Sequence, residues 1–149
     1  MKNVVAGFAL ALTFGIAPLF AQTGKESAKE SGELAKGVEV AIKDLEDYSA
    51  KNDQFLLNNI SLKETADEEN KSIGHVRVSS NVRNRTDKNL KYRLMIVGFD
   101  ASKKPLWTYN SHNQELGAKD QATLEDTLAL PVGTAKATTT LWARIVHFP

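Results

Sequence analysis

The chain has 149 residues, with 19 lysines and arginines against 18 acidic residues, a net charge of +1 and no cysteine. So even a balance gives no bulk attraction to nucleic acid or to an anionic membrane surface. Without thiols there is no disulfide, no thiolate metal ligand and no lipid-bearing cysteine, and the length suits one domain that can bury a core unaided.

Met1 and Lys2 precede an apolar run from Val4 to Phe20, which ends at Ala21 and polar Gln22. This is the layout of a secretory signal peptide. Gly7, Gly15 and Pro18 interrupt the run, so residues 1–21 are expected to be cleaved near Ala21 rather than kept as an anchor. The expected product is periplasmic or secreted, from a bacterium, with no stable membrane insertion after cleavage. Lys2 is the only charge lost with the leader, which leaves the mature chain near neutral.

Residues 22–32 hold little but Lys, Glu, Ser, Gly and Ala and read as a flexible lead-in. Across residues 31–53, Leu34, Val38, Ala41, Leu45 and Tyr48 recur at spacings of four and three, which predicts one apolar face of an N-terminal helix. Gly37 and the β-branched Val38, Val40 and Ile42 are poor helix formers and keep strand as the alternative. The same stripe has coiled-coil spacing over about two heptads, so an oligomer through a 34–48 helix is a further expectation.

From residue 54 onward the apolar period becomes two. Six runs follow, at 55–63, 75–84, 90–99, 105–110, 122–130 and 137–148, with the stretch near Val38 as a candidate seventh. In the second run Val76, Val78 and Val82 alternate with Arg77, Ser79, Asn81 and Arg83, leaving Ser80 as the polar residue of the inner face. The third run is apolar on both faces, Leu94 and Ile96 against Met95, Val97 and Phe99, as a central strand would be. Polar loops are expected at 64–74 and 113–121, and Pro131 with Gly133 breaks the last two runs apart. The fold class is mainly β: a single antiparallel immunoglobulin-like sandwich over 54–149, preceded by the 22–53 lead-in and helix.

Catalytic chemistry is not legible. His75, His112 and His147 lack metal-ligand spacing, and the acidic loop Asp67 to Asn70 lacks the alternating carboxylates of a calcium loop. Ser111 beside His112 has no Gly-x-Ser-x-Gly elbow, and Asp126, in phase with Leu124, Leu128 and Leu130, reads as an edge residue rather than an acid with a raised pKa. No metal, cofactor or enzymatic activity is expected.

Binding features are clearer. Arg77, Arg83, Arg85, Lys88, Lys91, Arg93, Lys103 and Lys104 outnumber Asp87 and Asp100 between residues 77 and 104, while the segment before residue 70 is predominantly acidic. Trp107 and Tyr109 share one face of their run, and Trp142, Val146 and Phe148 share another. One of these aromatic faces must be core, and the other needs a cover, either the N-terminal helix or a partner. Arg83, Arg85, Arg93, Trp107, Tyr109 and Trp142 are therefore the candidate partner-binding residues.

The stretch Asn81-Val82-Arg83-Asn84-Arg85-Thr86-Asp87, then Leu90-Lys91-Tyr92-Arg93, then Gly98-Phe99-Asp100-Ala101 resembles the YcfL-like family of bacterial envelope proteins, and more broadly the FxLYD-type immunoglobulin-like modules. The resemblance covers residues 55–148. This chain departs from that pattern in Gly98 where a tryptophan is common, Lys103 where the turn glycine is expected, and the missing lipid-bearing cysteine. The resemblance implies a periplasmic sandwich of unassigned activity and brings no catalytic residues. The expected function is a non-catalytic module that docks to an envelope protein or an anionic envelope polymer. The alternative is a small-ligand carrier with an apolar cavity in the sandwich, lined by Trp107 or Trp142.

Overall fold

A computed structural model describes residues 34–149; the expected signal peptide and lead-in lie outside them. Nine strands run in the order β1 (Val38–Ala41), β2 (Ser49–Lys51), β3 (Phe55–Ala66), β4 (Ile73–Asn84), β5 (Leu90–Phe99), β6 (Pro105–Asn110), β7 (Gln114–Leu116), β8 (Gln121–Pro131) and β9 (Thr140–Phe148). One helical turn, α1 (Thr134–Ala137), precedes β9. They form two antiparallel sheets: β1-β9-β5-β6 with β7 also on β5, and β2-β3-β4-β8.

The six sequence runs are β3, β4, β5, β6, β8 and β9, displaced by a few residues at their ends. The helix expected over 31–53 is not formed in its described part, and with it goes the helical surface for an oligomer through 34–48. Residues 38–41 are a strand, a 3-10 turn spans Ile42–Asp44, and Ser49–Lys51 is a second strand. Two physical reasons override the helical spacing. The β-branched Val38 and Val40 alternate with exposed Glu39 and are both buried, which is the period of a strand. And β9 offers a free edge, where Val38 sits opposite Ala143 and Val40 opposite Leu141. Gly37 precedes the strand at φ 108, with the indole of Trp142 lying where a Cβ would stand.

The core lies between the sheets. Phe55, Leu57, Val76, Val78 and Val82 from one sheet meet Tyr92, Leu94, Ile96, Leu141 and Ile145 from the other, all essentially buried. The rings of Phe55 and Tyr92 cross that divide at 5.3 Å. Each such aliphatic or aromatic side chain contributes about 1.5–3 kcal/mol by leaving water. Gly98 of β5 lies under Trp107 of β6, its cross-strand partner, so the missing side chain at 98 is the room the indole occupies. The indole N–H then donates to Thr138 Oγ1 at 2.9 Å.

Ser80 is not alone as the polar residue on the inner face of β4: Asn84 closes the same row, fully buried. At the opposite end of the long sheet the Glu64 carboxylate accepts from the Gly133 and Ala135 amides at 2.5 and 2.8 Å, fastening α1 over the overhang.

Candidate interaction face

Pairing of β5 with β9 joins two stripes that the sequence keeps 40 or more residues apart. Val97 stands opposite Trp142, Met95 opposite Arg144, Arg93 opposite Val146 and Lys91 opposite Phe148, all on the outward side of the five-stranded sheet. Burial alternates along both strands, with Leu94, Ile96, Ala143 and Ile145 inward and Met95, Val97, Phe99, Trp142, Val146 and Phe148 outward and only half-buried. No strand or helix of residues 34–149 lies over this face.

The other sheet presents a different outer surface. There Ser61 and Ser79 share a hydrogen bond of 2.7 Å, Thr123 donates to Asn81 at 2.8 Å, and Arg77 stands 3.6 Å from Glu125. That is a solvated polar face. The contrast is chemical as well as apolar, because the half-buried stripe carries Lys91, Arg93 and Arg144. Arg93 donates to Asn113 Oδ1 at 2.8 Å with its guanidinium carbon 5.7 Å from the centre of the Phe148 ring, a cation–π distance. Arg144 reaches back to the Ala35 carbonyl at 2.7 Å, and Glu39 is paired with Lys103 at 2.7 Å.

The six candidate residues separate into four places. Arg93 and Trp142 share the outward face of the five-stranded sheet. Trp107 and Tyr109 point between the sheets and are 5% and 6% exposed, so they are core. Arg83 is exposed on the polar sheet. Arg85 belongs to the end of the sandwich, where its amide donates to the Gln54 carbonyl, its guanidinium to the Asn52 carbonyl, and its own carbonyl accepts Lys119 Nζ at 2.7 Å. The basic segment of the sequence is thus divided between two faces and one end. Sequence reasoning found both outward stripes but could not join them, because only the β5–β9 register does that.

The residues weighed for chemistry have other partners. The Ser111 hydroxyl accepts the Leu94 amide at 2.9 Å and donates to the His112 carbonyl at 3.0 Å. Asp67 accepts from the amides of Glu69 and Asn70 and lies 2.7 Å from His75 Nε2. Those bonds, the Asn70 amide foremost, hold its carboxyl below the usual range. His147 approaches Gln54 at 3.5 Å. Among the described residues no three His, Asp or Glu side chains gather as a metal site would require. A concavity of about 810 Å³ opens beside the 3-10 turn, walled by Glu39, Lys43, Asp44, Glu46, Asp47 and Tyr48; neither tryptophan lines it.

No family model and no curated protein matches the sequence. A solved structure of a DUF1425 family member from Shewanella sp. pv-4 is similar over 63% of this chain and 78% of that one, with a TM-score of 0.38 and 11% sequence identity.

Proposed function

We propose that the protein is a non-catalytic interaction module of the bacterial envelope, exported by its N-terminal leader, which docks through the outward face of the five-stranded sheet. Its partner is a protein segment that offers apolar side chains flanked by carboxylates. The observation that carries this reading is the asymmetry of the sandwich: one outer face is polar and internally hydrogen-bonded, while the other holds six half-buried apolar side chains among Lys91, Arg93 and Arg144. Apolar side chains among an excess of basic groups, Lys91, Arg93 and Arg144 against Glu115 and the Lys103-paired Glu39, favour a partner that removes them from water and answers the charge. The same reading makes the chain a divergent immunoglobulin-like relative of the YcfL-like envelope proteins, supported by the Asn84-Arg85-Thr86 turn and the Tyr92-Arg93 strand.

A photo-crosslinking side chain placed at Met95, with the same group at Ser79 on the polar sheet as control, tests the docking face in cells. The expected result is a discrete adduct from position 95 alone, mapping to an acidic and apolar segment, and lost with Arg93→Glu and Arg144→Glu. Adducts from position 79 as readily as from 95, or a segment without carboxylates, would overturn the reading.

A further inference from the structure

Strand β8 ends the four-stranded sheet, so among the described residues one side of its 11 residues has no neighbour. Which of its backbone groups face outward follows from the ladder ends. The Asn84 amide donates to the Asp120 carbonyl, and the Val132 amide donates to the Ser72 carbonyl, so even-numbered positions of this segment turn toward β4. The odd-numbered ones, Thr123, Glu125, Thr127 and Ala129, turn their amides to the free side. Pro131, which has no amide to leave unpaired, occupies an odd position, where a proline is tolerated on an edge.

The side chains of the even positions face the opposing sheet: Ala122, Leu124, Leu128 and Leu130 stand opposite inward residues of β4. Asp126 shares that phase, opposite the buried Val78, yet is exposed. Its carboxylate accepts the outward amide of Thr127 at 2.7 Å. One acidic side chain therefore interrupts an apolar row and also occupies a donor that an added strand would use.

A second copy of β8 can add to this edge with its apolar row matched. Antiparallel pairing through the outward groups requires odd positions to face odd ones. The register that sets Leu124 against Leu128 of the second copy, and Ala122 against Leu130, centres on residue 126 and places Asp126 opposite itself. Like charges directly opposed across an antiparallel pair are destabilising. We infer that Asp126 holds the β8 edge closed against a second copy of this chain, by occupying the Thr127 amide and by self-repulsion at the dyad of the one register that matches the apolar row. Inward-phase charge is a recognised means of blunting a sheet edge. This does not depend on the docking face proposed above, which lies on the other sheet.

The test is the mass of the purified protein, expressed from its full reading frame, by light scattering across a concentration series at neutral pH. The natural chain is expected to stay monomeric. Asp126→Val, which completes the apolar row at an exposed site, is expected to double the mass. Adding Thr127→Pro, which deletes one outward amide without touching the β4 ladder, is expected to restore the monomer. A monomeric Asp126→Val protein that melts as a folded domain, a natural chain already dimeric through β8, or a dimer indifferent to Thr127→Pro would each overturn the inference.

Discussion

The carboxamide of Asn84 is fully buried and saturated. Its Nδ2 donates to the carbonyls of Lys88, Gly117 and Leu116 at 2.6, 2.8 and 3.3 Å, and its Oδ1 accepts the amide and hydroxyl of Thr86 at 2.9 and 2.8 Å. A single side chain thus ties the β4–β5 turn to the loop after β7. Asn84→Ala leaves the Thr86 amide without its acceptor and takes a donor from three carbonyls, of which Lys88 keeps the Thr86 hydroxyl and Gly117 the Asp120 amide. Each buried group left unsatisfied costs about 1–3 kcal/mol, and partial rearrangement returns some of that. The expected loss is about 2–4 kcal/mol, read from the urea midpoint at unchanged slope. A loss under about 0.5 kcal/mol, the scale of an ordinary surface substitution, would mean that water replaces the amide. Lys103 makes the complementary point: it sits at φ 63, the left-handed conformation for which the sequence reading expects glycine, in a turn whose Ser102 and Lys104 amides are both held by Asp100 Oδ1. The turn keeps its shape because Asp100 supplies the bonds.

At the scale of elements, the β runs were legible wherever one face is buried, since alternation there is imposed by the core. The N-terminal segment was not. Leu34, Val38 and Leu45 are all buried, as a helical stripe would have them, but so is Val40, which that stripe leaves out. Strand and helix differ here through pairing with β9, about 100 positions further along the chain, and local periodicity does not contain that information. β7 was missed for the same reason: three residues in a polar loop, Gln114–Leu116, become a strand only because β5 extends past β6. The docking of β1 rests on Gly37. Alanine there would combine a φ near 108, which L-residues avoid, with a collision against Trp142. Gly37→Ala is expected to cost about 2–3 kcal/mol, concentrated in β1. Odd-numbered amides of β9 face β1, since Ile145 donates to the Leu34 carbonyl. Hydrogen exchange at Leu141 and Ala143 is therefore expected to accelerate in the variant while the β3–β4 ladder stays protected. Equal protection at all four strands would show that β1 is not anchored through Gly37.

For the whole molecule, the tie between the sheets includes two buried hydroxyls without hydrogen bonds among the described residues, those of Ser80 and Tyr92, and the second sits at the join. Tyr92 is fully buried against Phe55, and its hydroxyl makes no hydrogen bond within the described residues. Burial first, and then the neighbouring Tyr109 phenol, push its pKa from 10.0 up to about 12. Burial also raises the phenols of Tyr48 and Tyr109, the latter helped by the charge of Asp126, so all three tyrosines of the chain resist ionisation in the fold. The sign follows from linkage. A group whose pKa is higher folded than unfolded binds its proton more tightly in the folded state, so its contribution is complete below pH 10 and is lost as the pH climbs from there through about 12. The sandwich is therefore expected to open in that window, with the phenolate absorbance and the loss of near-ultraviolet circular dichroism rising together. Tyr92→Phe keeps the ring against Phe55 and deletes the unbonded hydroxyl, so it should be neutral to about 1 kcal/mol stabilising at pH 7 and should move the alkaline midpoint upward. If Tyr92→Phe instead opened at the same pH as the natural chain, the alkaline limit would lie with the lysines and surface charge rather than with the phenol between the sheets. If it were destabilised at neutral pH, the hydroxyl would have to be bonded through water, and the join between the two sheets would be a hydrated one.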